Sequence, residues 1–369
     1  MERLRTESWR FLQHCRLEIE DLRFVSYKIL TYDEIDKQEW GRLIRESRTG
    51  TWFQSPEAYE FFCTQKDLME PFVFAVEAVG SLRALCVGYV TKEHNSFKQF
   101  FTRRAIINGG ICCANDATNK EVMMLLTAIR EQLSDKTIYI ETRNFEDYSR
   151  WREAFEAAGF GYKKHLNFHV DCTDEEVMWE RLSENRKRQI RKGERLSVIG
   201  DGLREEDIIE WYGILERLYR TKVKTPLWPV EFFLEAYRQG IGKFLLVKHD
   251  NLVIGGSMVV VWKGLPVTGY GLREERLGTV YEWFECGMNA EYKEQYPSVM
   301  ATWAGMQLAH ELGCARYDMM GAGEPGVPYG VRDFKSEFGG KLVEHGRFLC
   351  VCKPWLYKIG ELGVKLLKR

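Results

Sequence analysis

Lys335 stands in the run Arg332-Asp333-Phe334-Lys335-Ser336-Glu337-Phe338-Gly339-Gly340. On a short helix Phe334 and Phe338, four residues apart, share a face and anchor the segment. A cation on so fixed an element is suited to stabilising the oxyanion of an acyl-transfer intermediate, or to holding a phosphate or carboxylate. The loop before it, Gly321-Ala322-Gly323-Glu324-Pro325-Gly326-Val327-Pro328, lets a substrate approach backbone amides closely. A surface lysine paired with Glu337 or Asp333 is the plainer alternative. Asp318, Glu324, Asp333 and His345 are the neighbouring groups able to deprotonate an attacking amine. Lys335 and Asp318 are the candidate catalytic residues, with Tyr317, Arg332 and Phe334 as substrate contacts.

A second constellation lies upstream. Arg181 to Arg195 holds seven cations against Glu184 and Glu194. On a helix Arg188, Lys192 and Arg195 share one face, while Lys187 and Arg191 share another. A solvated charged face would account for such a run, but a local excess of this size in a chain of net charge −1 points to an anionic ligand. Arg186, Arg188, Arg191 and Lys192 are the candidate contacts.

No metal site is expected: the ten cysteines include no C-x-x-C spacing. They fit a reducing compartment as small apolar residues. A chain 45% hydrophobic and 13% aromatic builds real cores, which excludes disorder. No run approaches the roughly 18 apolar residues of a membrane span, and the start is charged, so the expected location is the cytoplasm. The C-terminal stretch Pro354 to Arg369 is basic and amphipathic. It either docks on its own domain or lies on the inner face of the membrane.

The elements that must position these groups occur twice. Sliding the chain on itself pairs Phe74 with Phe244, Leu82 with Leu252, Val122 with Val299, Tyr139 with Tyr317 and Phe155 with Phe334. The offsets grow slowly, from 170 through 177 and 178 to 179, as a duplication with small insertions would leave them. At the place of Lys335 the first copy carries Glu156, so one half is expected to work and the other to support.

In the first half the patterns predict a helix to about Asp67 after Trp52-Phe53-Gln54-Ser55-Pro56, and a hairpin from Phe72–Ala78 and Leu82–Thr91. They continue with a helix over Asn119–Leu133, a strand over Thr137–Glu141, a helix over Arg150–Ala158 and a strand over Tyr162–Val170. In the second half they predict helices Glu206–Tyr219 and Val230–Gln239, then strands Lys243–His249, Leu252–Trp262 and Val267–Leu272. Helices Val280–Gln295 and Ser298–Leu312 and a strand Arg316–Met319 complete it. The expected fold is α/β (α+β), with residues 1–171 (including a leader, 1–25) and 172–369 each forming a mixed, mostly antiparallel sheet flanked by helices.

These residues resemble the Fem-type (FemAB-like) aminoacyltransferases of peptidoglycan bridge formation, which are tandem GNAT (N-acetyltransferase) domains. The resemblance rests on Asn185-Arg186-Lys187-Arg188-Gln189-Ile190-Arg191-Lys192-Gly193-Glu194, on Tyr317-Asp318 followed by Phe334-Lys335-Ser336-Glu337-Phe338-Gly339, and on the Trp52 to Pro56 opening. It covers most of the chain.

The resemblance implies transfer of an activated acyl group, an amino acid from aminoacyl-tRNA, to an amine of a nucleotide- or lipid-linked peptidoglycan precursor. It gives Lys335 the developing charge at the carbonyl and the Arg186 to Lys192 cations the phosphates of donor or acceptor. No tightly bound cofactor, metal or stable protein partner is implied. The long helical arm that some members use on tRNA has no room between Glu206 and Gln239. Relatives using acyl-CoA on sugars, polysaccharides or lipids give the alternative, although Glu294-Gln295-Tyr296-Pro297 lacks the glycines that cradle a CoA pyrophosphate. A binding module without catalysis is the non-enzymatic alternative.

Overall fold

The computed structural model describes residues 26–92, 102–264 and 278–367. The leader and the predicted Val267–Leu272 strand lie outside the described residues. The first half runs β1 (Tyr27–Leu30), α1 (Lys37–Glu46), α2 (Pro56–Thr64), β2 (Met69–Ala78), β3 (Ser81–Thr91), β4 (Ala105–Gly109), β5 (Cys112–Cys113), α3 (Asn119–Leu133), β6 (Tyr139–Asn144), α4 (Arg152–Ala157), β7 (Gly161–Lys163) and β8 (Leu166–Asp171). The second half continues with α5 (Glu175–Arg181), α6 (Glu184–Gly193), β9 (Ser197–Ile199), α7 (Glu205–Leu218), α8 (Val230–Arg238), β10 (Gly242–His249), β11 (Leu252–Trp262) and β12 (Thr279–Gly287). It closes with α9 (Pro297–Glu311), β13 (Arg316–Gly321), α10 (Gly330–Ser336), β14 (Lys341–Glu344), β15 (Arg347–Val351) and α11 (Pro354–Leu367).

One sheet has the order β1-β2-β3-β4-β6-β15-β7, with β5 added to β3, and the other β14-β8-β13-β12-β11-β10-β9. Read in opposite directions the two orders match place for place. Each is antiparallel except for a single parallel pair, β4 with β6 and β12 with β13. The duplication seen in the sequence is therefore a duplication of topology. Strands β15 and β8 hold equivalent places, yet each sits in the sheet built mainly by the other half. The Tyr162–Val170 stretch, expected as one strand, splits for this reason into β7 in one sheet and β8 in the other, and a cut near Cys172 crosses both sheets.

A second difference concerns Val280–Gln295. Its start is the central strand β12, not a helix. Val280, Tyr281, Phe284 and Cys286 are buried between layers, and such strands lose the polar alternation that separates strand from helix. Around Trp283 the pairing shifts, so that Glu282 faces Val259 and Phe284 faces Met258, a bulge.

One core spans both halves. Trp52 and Phe53 pack on Trp283, with ring centroids 6.0 and 5.0 Å away, and Phe61 meets Phe232 at 5.2 Å. Gln54 is buried beside them, donating to the Val87 and Asn108 carbonyls at 3.0 and 2.8 Å and accepting from Val87 N–H at 2.7 Å. Its amide fills the gap where β3 and β4 part company beyond two paired residues. Ser55 caps α2 through Ala58 N–H.

Candidate active site

β12 and β13 pair only from Thr279 to Tyr281 and from Arg316 to Asp318, then diverge. Past that point β13 bulges against β8, and Met320 takes φ +60°, a strained value for a residue with a Cβ. Two side chains hold the bulge. Asp318 accepts from Met320 N–H at 2.7 Å, and Lys335 Nζ donates to the carbonyls of Met319 and, at 3.0 Å, Gly321. Lys335 thus supplies donors that a neighbouring strand would otherwise provide.

Lys335 is buried, unlike Glu156, which is exposed at the equivalent place in the first half. Burial pulls its pKa down while the nearby Glu282, Asp318 and Glu285 oppose this. Burial raises the Glu282 carboxyl, which accepts from Tyr317 Oη at 2.8 Å and Thr302 Oγ1 at 2.9 Å. For Asp318 burial is outweighed by His169, whose Nε2 lies 3.2 Å from Oδ2, and the pKa falls. His169 in turn packs against His345, with ring centroids 5.1 Å apart.

Several predicted contacts do other work. Asp318 and Tyr317 are wholly buried and joined to the bulge and to Glu282, out of reach of a ligand. Arg186 is buried too: its guanidinium lies 4.5 and 4.4 Å from the ring centroids of Phe334 and Phe338. It donates to the Phe334 carbonyl at 2.9 Å and to Gln189 at 2.6 Å. Thus Arg186 and Phe334 clamp α10 instead of meeting phosphate. Arg332 donates to the carbonyls of Ala322 at 2.9 Å, Val327 at 3.0 Å and Glu324, holding the glycine loop in place. Arg188, Arg191 and Lys192 are exposed on α6, although Lys192 also pairs with Glu294 at 2.8 Å.

The large cavity lies elsewhere, on the face of the first sheet where the halves meet. It measures about 890 Å³. Arg104, Arg143, Lys163, Lys224 and Arg347 line it against two acids, Glu141 and Glu361, with Tyr89, Tyr139, Tyr219, Trp228, Trp283 and Tyr357 as aromatic walls. Burial would raise Glu141, but Arg143 at 3.0 Å and Arg347 at 3.0 Å hold it down to about 2. His165 is pushed down to about 3 by burial and then by the Arg347 charge. Arg347 donates to its Nε2 at 3.0 Å, so the proton of the neutral ring is on Nδ1. Buried nitrogens Nε of Arg347 and Arg104 have no hydrogen-bond partner among the described residues.

Met320 and Gly321 form part of the cavity wall, so the ammonium of Lys335 lies one carbonyl behind it. Gly321 sits so close to the imidazole that a Cβ there would stand 2.9 Å from His165 Nε2. The cavity residues were missed in sequence because β6, β8, β13 and β15 bring them together from distant segments.

Neither helix start offers open amides to a pyrophosphate. α3 is closed by Thr118 and Glu121 as a capping box, and at α9 Asn289 bonds both the N–H and the hydroxyl of Ser298. Pro297 to Trp303 are buried, with Gly193 of α6 against Met300.

Residues 277–365 match the model of the FemAB family. The chain is similar to FemX, with a TM-score of 0.66 at 13% identity over 90% of this chain and 99% of that one. The fold is a FemAB-like tandem GNAT fold. The chain is also similar to a tandem GNAT protein from the clavulanic acid biosynthesis pathway (TM-score 0.57, 10% identity, 89% and 99% of the chains covered). L-PGS from Bacillus licheniformis gives a TM-score of 0.50 at 14% identity, covering 86% and 98%. No curated protein matches the sequence.

Proposed function

We propose that this chain, with its FemAB-like fold, is an acyltransferase that moves an aminoacyl group from aminoacyl-tRNA to an amine of a peptidoglycan precursor. One observation carries the reading: a cation-rich, aromatic-walled cavity ends on a backbone shelf, Met320–Gly321, that a buried lysine holds from behind. The anionic part of the acceptor lies among Arg104, Arg143 and Arg347, whose spare donors suit phosphate or carboxylate oxygens. The acceptor amine attacks the ester carbonyl of the donor at the shelf. The ester C–O bond breaks, an amide C–N bond forms, and the amine proton passes to the leaving ribose oxygen. Lys335 stabilises the oxyanion when the acyl oxygen takes the place of the Gly321 carbonyl at its ammonium. Arg188, Arg191 and Lys192 on α6 meet the phosphates of tRNA. The family match and the likeness to FemX support this donor, and the closed starts of α3 and α9 disfavour acyl-CoA. The reaction belongs in the cytoplasm, where charged tRNA is found.

The test is the thermal unfolding midpoint with charged tRNA and, separately, with CoA and acetyl-CoA. A ligand at 100 times its dissociation constant stabilises by about 2.7 kcal/mol, a shift of a few degrees. A shift with charged tRNA alone bears out the proposal. A shift with CoA alone replaces it by acyl-CoA-dependent transfer to a sugar or lipid, and no shift with any of them leaves a binding module.

A further inference from the structure

α11 has two working faces. Leu356, Tyr357, Gly360 and Gly363 line the cavity, with Leu356 buried, and Tyr357 Oη accepts from Lys163 at 2.7 Å. Trp355, Ile359 and Leu362, at i, i+4 and i+7, form a stripe on the helix that is 58, 48 and 62% exposed. These are among the largest apolar side chains that the described residues expose, and they are gathered on one helix. Charge accompanies them: Pro354 to Arg369 holds Lys358, Lys365, Lys368 and Arg369 against Glu361 alone, in a chain of net charge −1.

We infer that this face of α11 docks on an anionic lipid surface. An amphipathic helix of low charge on one face, with a tryptophan in the apolar stripe and lysines beside it, lies in the headgroup region of a bilayer, where apolar burial and attraction to anionic lipid add together. A second copy of the chain fits the stripe less well. A stable protein interface needs about 800 Å² per partner, whereas even a fully buried aromatic side chain contributes only about 150–250 Å². Because the opposite face of α11 lines the cavity, docking sets the mouth of the cavity beside the membrane. This inference does not depend on the identity of the acyl donor.

The test is co-flotation of the full chain with phosphatidylcholine vesicles, with and without phosphatidylglycerol, using the wild type and an Ile359→Glu/Leu362→Glu variant. The expected result is that the wild type floats with anionic vesicles and is released as salt rises, while the variant floats at least about tenfold less. Both side chains are exposed, so an unchanged thermal midpoint shows that the variant is folded. A wild type left at the bottom of the gradient with both vesicles overturns the inference. So does equal flotation of the variant, or a concentration-dependent dimer in sizing experiments that the variant abolishes, which would give the face to a second copy.

Discussion

The ammonium of Lys335 and the carbonyl of Gly321 are 3.0 Å apart, and Gly321 is on the cavity wall while Lys335 is behind it. A group placed in this way is a structural tie and a reserve of positive charge at once. In the resting protein it satisfies carbonyls left over where β12 and β13 diverge. During acyl transfer the same donor is one carbonyl away from the reacting oxygen.

Replacing Lys335 by Met should therefore do two things. It leaves the Met319 and Gly321 carbonyls without their donor and removes the cation opposite Glu282, costing about 2–5 kcal/mol of stability. It should also lower kcat by about 10²-fold or more, with modest effect on KM. Urea unfolding and single-turnover rates at a temperature where the variant stays folded separate the two. A folded variant turning over at the wild-type rate removes Lys335 from the chemistry.

Arg186→Lys tests the clamp on α10. An ammonium cannot stack on Phe334 and Phe338 and reach the Phe334 carbonyl as the planar fork does. The expected loss is about 1–2 kcal/mol. A double-mutant cycle with Phe338→Leu should show coupling, because both changes remove the same contact. Additive losses would place the stacking elsewhere.

His165 makes stability depend on pH in a stated direction. Its folded pKa, about 3, lies below the ordinary 6.5, so the unfolded chain takes up a proton that the folded one refuses. The contribution is fully present above pH 6.5 and is lost as the pH falls toward 3. His165→Gln should flatten the fall in urea midpoint across this window relative to wild type. Parallel curves would mean that the imidazole titrates normally.

The exposed face of α6 is tested by salt. Arg188→Gln, Arg191→Gln and Lys192→Gln together should weaken binding of charged tRNA and reduce the slope of log affinity against log salt by roughly one per lost phosphate contact. The cavity is distant in sequence and untouched by these changes, so the thermal midpoint should hold. An unaltered slope in filter-binding or fluorescence titrations would move the tRNA surface off α6.

Legibility in the sequence followed locality. Asn119–Leu133 was readable to the residue, because its apolar positions recur with the helical period. The hairpin of β2 and β3 was equally local. β12 was not, since a strand buried on both faces carries no alternation, and its aromatic run reads as well for a buried helix. At the site, the anchored lysine was visible from Phe334 and Phe338, but the partners of Asp318 and Arg186 were not. Side chains of these types look alike on paper whether they face a ligand or a carbonyl. Arg143, His165 and Arg347 had no signal at all: each is ordinary within its own segment and acquires meaning only across the seam.

That seam has a mechanical meaning. Each sheet receives an inner strand, β15 or β8, from beyond the midpoint of the chain, wedged between two strands of the other half. The halves are clasped like two hands with one finger exchanged. Neither can open its sheet without withdrawing a strand from its twin, so heat or denaturant should melt them in one step. A gene cut at the middle would yield two fragments, each missing its wedge, and the ancestral single unit must have closed its sheet with a strand of its own or borrowed one from a second molecule.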